Sequence, residues 1–262
     1  MSTTFSQLMR TAKRAAGQSI FEVPADWMQG RSLFGGLQVA IALDAMRTCA
    51  PKAPLRTLQA TFIAPVPEGP VQARARIVRQ GKSATHVEAR IEGEKEPLAI
   101  VIGVFGSPRP SKAERVPARP NLGADQGLEL TYVPGVFPAF TQHFRARWLR
   151  GALPFSSQAS PEHSVAVGMV DDGALTEGHV VAIADFIPPV ALSYLDAPAP
   201  GSTLTWMLQF LRDDMAGLPL DGWRIDAELV AARDGYTSQT VHVWGPDGSP
   251  VALSHQSMLV FG

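Results

Sequence analysis

Few residue types able to catalyse or coordinate stand in motif spacing in this sequence. Its histidines are His86, His143, His163, His179, His242 and His255. None forms a spaced ligand pair such as HExxH, and the single Cys49 cannot build a cysteine cluster. No metal site and no cofactor are therefore expected. No GxSxG nucleophile elbow occurs, which leaves a serine-hydrolase mechanism without support. Cys49 falls late in a helix-like segment and reads as packing. Arg145, Arg147 and Arg150 read as a solvated or subunit-contacting face. Three other side chains stand in more telling places. Asp185 precedes Phe186-Ile187-Pro188-Pro189, where it reads as a helix N-cap. Thr203 lies on a strand, where threonine is favoured in any case. Gln256 shares one face of the last strand with Ala252, Ser254, Met258 and Val260, and an amide among apolar or small neighbours needs a bonding partner. Gly35-Gly36 reads as a tight turn that opens a helix.

The elements that position these residues come in two sets. Residues 75–106 (ARIVRQGKSATHVEARIEGEKEPLAIVIGVFG) and 227–262 (AELVAARDGYTSQTVHVWGPDGSPVALSHQSMLVFG) share one order of features. Each has an apolar strand, a turn at Gly81 or Gly235, a second strand, a polar turn and a final strand ending in Val-Phe-Gly. Both read as antiparallel meanders, and the shared order reads as a duplication. A helix-like segment and one further strand precede each meander. In the first half, LQVAIALDAMRTCA places Val39, Leu43 and Met46 at helical spacing beside Ala40. Leu58, Ala60 and Phe62 then alternate with polar neighbours. In the second half, prolines 188 and 189 are tolerable in a helix's first turn, which places the start of that helix close to Asp185. On the strand after it, Leu204, Trp206, Leu208 and Phe210 face one way and Thr203, Thr205, Met207 and Gln209 the other. Residues 107–145 carry Pro108, Pro110, Pro117, Pro120, Pro134 and Pro138 and read as a linker, with YVPGVFPAF as an extended segment packed on the second half. The expected division is 1–106, 107–145 and 146–262.

Composition sets the outer bounds. The 262 residues are 45% hydrophobic, enough for a packed core, and only 18% charged. Lys plus Arg total 23 and Asp plus Glu 24, a formal net charge of -1. No global positive field exists to gather nucleic acid. One cysteine excludes an intramolecular disulfide and fits a reducing compartment. The N-terminal residues show no signal-peptide apolar core, and no apolar run approaches the ~20 residues that span a bilayer. A cytoplasmic location is expected. The charge-poor surface and the final strand point to a homodimer or larger homo-oligomer.

One helix wrapped by an antiparallel sheet, duplicated in tandem, resembles the double-hotdog proteins. ADWMQGRSLFGGLQVAIAL (residues 25–43) is similar to the N-terminal signature of thioesterase-like proteins, where a Trp precedes a Phe-Gly-Gly opening the hotdog helix. Within that superfamily the chain resembles the bacterial acyl-CoA thioesterase II family. The resemblance implies an α+β tandem double hotdog, two antiparallel sheets each wrapped around a central helix. It implies hydrolysis of acyl-CoA and a place in lipid metabolism. It also implies a water held by an Asp at the start of the second hotdog helix, a Thr on the following strand and a Gln on the last strand. The matching positions are Asp185, Thr203 and Gln256. Gly103 stands where the first repeat would need the Gln, so one site per chain is expected. Chemically, a shielded carboxylate can deprotonate water, and a hydroxyl and an amide can fix its line of attack. Substrate binding falls to Gly35, Gly36 and Leu37, with the Gly36 or Leu37 amide as oxyanion donor. The family carries Gln where Leu37 stands; Gln38 is adjacent.

Two alternatives belong to other classes. A hotdog hydratase uses a carboxylate–histidine pair, and no histidine follows Asp185 within a few residues. A non-catalytic acyl-CoA-binding module would keep the fold alone.

Overall fold

The computed structural model describes residues 2–50, 52–122 and 127–261. Residues 123–126 of the proline-rich segment and Gly262 at the end of the second repeat lie outside the described residues.

The first half runs α1 (Phe5–Thr11), β1 (Lys13–Ala15), β2 (Gln18–Val23), β3 (Met28–Gln29), β4 (Ser32–Leu33), α2 (Gly35–Arg47), β5 (Leu55–Phe62), β6 (Gly69–Gln80), β7 (Ala84–Ile91) and β8 (Ala99–Gly106). The second runs β9 (Leu128–Leu130), β10 (Phe144–Arg150), β11 (Glu162–Met169), α3 (Glu177–Ala184), β12 (Gly201–Phe210), β13 (Trp223–Arg233), β14 (Tyr236–Trp244) and β15 (Pro250–Val260). Both meanders form as read, β6–β7–β8 and β13–β14–β15, each antiparallel throughout.

The expectation of two sheets needs correction. The meanders belong to one continuous 13-stranded antiparallel sheet, in the order β1-β2-β6-β7-β8-β5-β12-β15-β14-β13-β11-β10-β9. The join is β5 with β12, where Gln59 pairs with Met207 and Thr61 with Thr205. Left unjoined, each of these strands would present a row of unpaired N–H and C=O groups, and pairing removes both edges at once.

The helices fill the inside of this sheet. α2 packs on β2, β6, β7 and β8, and α3 packs on β11 and on α2. The two helices run antiparallel. Arg47 at the end of α2 forms a two-pronged ion pair with Glu177 at the start of α3, Nε to Oε2 at 2.9 Å and Nη2 to Oε1 at 2.5 Å. Each charge sits at the helix end whose dipole favours it. At the other end, the start of α2 meets the end of α3. A methyl on Gly36 would lie 3.0 Å from Ala182 Cα, so the missing side chain lets the two backbones close up. From Val180 to Ala184 every residue of α3 is buried. A helix enclosed on all sides carries no apolar stripe, which is why periodicity does not reveal it.

That burial hides a second correction. Asp185 does not begin a helix: it is the C-cap of α3, whose N-cap is Thr176. Pro188 cannot extend α3, because it lacks the N–H for the carbonyl four residues back and its ring clashes there. The prolines stop the helix before them, and Pro189 then caps a short 3-10 turn over Val190–Tyr194.

A third correction concerns β12. Thr203 pairs with Met258 and Trp206 with Gln256, and the register shifts between Thr203 and Thr205. Leu204 is therefore the extra residue of a β-bulge. Directly paired residues share a face. The bulge thus carries Thr203 onto the inner face with Trp206, Gln256 and Met258, where strict alternation had placed it outside. Among the described residues, no helix is long and apolar enough to cross a membrane.

Candidate active site

Asp185, Gln256 and Gly36 meet where the end of α3 faces the start of α2. Gln256 Nε2 donates to Asp185 Oδ1 at 2.7 Å. The Gly36 N–H also donates to the Asp185 carboxylate. A methyl on Gly35 would sit 2.8 Å from Asp185 Oδ2, so glycine at this place is what admits the carboxylate. The first amide to close the α2 ladder is Gln38 N–H, onto Phe34 O at 3.0 Å. The amides of residues 35–37 therefore precede the ladder and carry the positive end of the helix.

Burial raises the Asp185 carboxyl to about 7, and the Gly36 and Gln256 donors only partly offset it. A carboxyl titrating near neutrality is held where it can act as a base in water at ordinary pH. The residue itself remains half-buried.

Behind Gln256 lies a residue that sequence reading missed. Gln239 on β14 is fully buried and pairs directly with Gln256 across the strands. Its Nε2 donates to Gln256 Oε1 at 2.8 Å, and its Oε1 accepts the Val190 N–H at 2.9 Å. The available signal was the one used for Gln256, an amide at an inward strand position, Gln239 in TSQTVHV.

Thr203 lies on the same inner face, beside Met258, and is half-buried. Its hydroxyl is not bonded to Asp185 or Gln256, so the structure brings together two of the three expected side chains directly and the third by face alone. The Gly36 amide, expected as an oxyanion donor, is engaged by Asp185. Leu37 is fully buried, and Gln38 turns its Nε2 to Leu33 O at 2.6 Å. An aromatic layer adjoins the site: Phe34 stacks on Phe140 with ring centroids 4.0 Å apart, and Phe144 lies 4.8 Å from Phe186. A small cleft lined by Leu130, Tyr132, Phe137, Phe144 and Phe186 opens against this layer.

A second grouping of reactive residue types proves structural. Ser6 Oγ lies 3.3 Å from His179 Nε2, and Asp171 Oδ2 lies 3.5 Å from the same nitrogen. The Thr176 N–H reaches His179 Nδ1 at 3.1 Å. A backbone N–H can only donate, so Nδ1 is the acceptor and Nε2 carries the hydrogen. An Nε2–H cannot take a proton from serine. Burial also holds the His179 imidazole below its ordinary value and therefore neutral. The cluster fastens α1 to α3. Among the described residues, no group of three or more His, Cys, Asp and Glu is placed to hold a metal.

A family model described as the acyl-CoA thioesterase C-terminal domain matches residues 112–260, and the acyl-CoA thioesterase N-terminal domain matches residues 23–106. The chain belongs to the acyl-CoA thioesterase family. Acyl-thioester hydrolysis is the chemistry of that family, and acyl-CoA the substrate it implies. No curated protein matches the chain. Solved structures share its fold at low identity. A hot dog-fold protein of unknown function from Alicyclobacillus acidocaldarius aligns with a TM-score of 0.88 at 21% identity, over 100% of this chain and 99% of its own. A putative thioesterase II from Thermobifida fusca gives 0.80 at 16%, over 100% and 99%. An acyl-CoA thioesterase II from Mycobacterium marinum gives 0.72 at 15%, over 97% of each chain.

Proposed function

We propose that this acyl-CoA thioesterase family member hydrolyses its thioester with Asp185 as general base, and that Gln256 and Thr203 position the water. The observation that carries the reading is the buried carboxylate that accepts from both Gly36 N–H and Gln256 Nε2. Both donors leave it an acceptor, able to draw a proton from water. The water attacks the carbonyl carbon as its proton passes to Asp185. The resulting oxyanion faces the positive end of α2. Collapse breaks the C–S bond, and the proton held by Asp185 goes to the departing thiolate of coenzyme A.

The surroundings favour hydrolysis over hydration. A hydratase needs an imidazole at the carboxylate, yet His179 is bonded to Thr176 and Ser6, and His255 faces outward to Ser238. The test is thiol release from a panel of acyl-CoA substrates. Asp185→Asn should lower kcat by at least ~100-fold, and Gln256→Ala by about tenfold to 100-fold. Full activity of both variants on every hydrolysed substrate would sink the reading. Saturable binding without turnover by the unaltered chain would move it to a binding module.

A further inference from the structure

We propose that Gln239 is a positioning residue, locking the Gln256 amide so that its N–H group faces Asp185 and keeps that carboxylate an acceptor. This inference rests on Asp185 being the base.

Hydrogen-bond direction fixes which end of the Gln256 amide faces Asp185. An amide side chain has nearly the same shape in its two flipped orientations, so shape alone does not decide which end faces Asp185. The Val190 N–H decides it, because a backbone N–H has no acceptor capacity. It must meet an oxygen, which assigns Oε1 of Gln239 to Val190 at 2.9 Å. The Nε2 of Gln239 then faces Gln256, and only Oε1 of Gln256 can accept it, at 2.8 Å. The Nε2 of Gln256 is left facing Asp185, at 2.7 Å. Val190, Gln239 and Gln256 are all buried, so bulk water cannot substitute for a lost bond between them.

With Gln256 reversed, an oxygen would face the carboxylate. Asp185 would then be favoured as a protonated donor, the wrong state for a base. The first repeat contains no such relay: Val87 pairs with Gly103 where Gln239 pairs with Gln256.

Charged groups on the elements packed about α3 pair elsewhere or are neutral: on β11, Glu162 pairs with Arg150, and burial against Trp148 lowers the His163 imidazole to about 4. On α3, Glu177 pairs with Arg47 of α2, and His179 is turned to Thr176 and Ser6. Also on α2, Asp44 is held by Arg14. Arg56 of β5 pairs with Asp213, and His255 of β15 bonds Ser238 of β14 on the outer face. The polarity of the Gln239–Gln256 relay is thus the adjustable influence on the carboxylate.

The experiment measures the pH profile of kcat/KM for Gln239→Met and Gln239→Glu, each alone and on a Gln256→Ala background, with thermal melting as a folding control. Gln239→Met lets Gln256 turn over. Gln239→Glu keeps the shape and the acceptor for Val190 but replaces the donor with a second acceptor, which demands the reversed amide. For both, the acid limb should move up by about one pH unit, with a roughly tenfold loss at pH below it and KM little changed. On the Gln256→Ala background, Gln239→Met should add no further shift. An unmoved acid limb in folded Gln239→Met and Gln239→Glu overturns the proposal, as does an equal shift of Gln239→Met without Gln256. Asp185→Asn separates the two readings. If that variant is active, the base assignment fails. If it is dead while the Gln239 variants keep the wild-type limb, only the relay fails.

Discussion

At the scale of single residues, the carboxyl of Asp185 links activity to stability. It ionises near 7 in the fold and near about 3.9 in an unfolded chain. Between these values the folded state holds the extra proton. Stability attributable to this group is therefore present below about pH 4 and is lost as pH rises toward 7. Catalysis needs the opposite, since only the ionised form is a base. Asp185→Asn removes the titration, so its stability relative to wild type should rise by up to about 4 kcal/mol between pH 4 and pH 8. Chemical denaturation of both proteins across that range measures it, and a flat difference would refute the buried-base assignment. Residue identity was legible here in part. The type and order of Asp185, Thr203 and Gln256 were visible through family resemblance. Gln239 was not, because nothing in a single strand shows which residue will lie across from Gln256 until the register is known.

At the scale of elements, the misread features share one cause: local rules with two valid outcomes. Pro188 and Pro189 can open a helix or end one, and the buried α3 offered no amphipathic period to choose between them. On β12, alternation describes Trp206 to Phe210 correctly and fails at Leu204, because one inserted residue inverts every face beyond it. The crossing of α2 and α3 depends on Gly36. Gly36→Ala gains up to about 1 kcal/mol of helix propensity. The added methyl would meet Phe34 ring atoms at 2.8 Å and the Ala182 backbone at 3.0 Å. Phe34 is stacked on Phe140 and cannot swing freely, so overpacking of about 1–3 kcal/mol should win. The helix ends would part and Asp185 would move with α3, and a misplacement of about 1 Å at the base can cost ~100-fold in rate. A lower melting temperature together with a larger loss in kcat than in KM is the expected result. Wild-type turnover would show that the crossing does not set the site.

At the scale of the whole molecule, the two meanders were legible because turns and alternation are local, while their fusion into one sheet was not. The β5–β12 join depends on pairing between strands far apart in sequence. The halves are therefore expected to unfold together. Met207 lies mid-strand on the outer face, paired on one side with Gln59 and on the other with His255. Met207→Pro deletes a ladder donor and should cost about 3 kcal/mol or more. Hydrogen exchange should then show amides of β8 and β15 losing protection together. Loss confined to one half would mean that the halves unfold independently.

Gly103 shows what duplication has allowed. It pairs with Val87 and Leu58 as Gln256 pairs with Gln239 and Trp206. A side chain there would begin 2.7 Å from the Met46 sulfur, so the space that a glutamine occupies in one half is filled by thioether in the other. An assembly of two identical hotdogs would have to keep both positions alike. Joined in a single polypeptide, one half packs a thioether where the other packs a hydrogen-bonded amide, and neither interior accepts the other's residue without rebuilding.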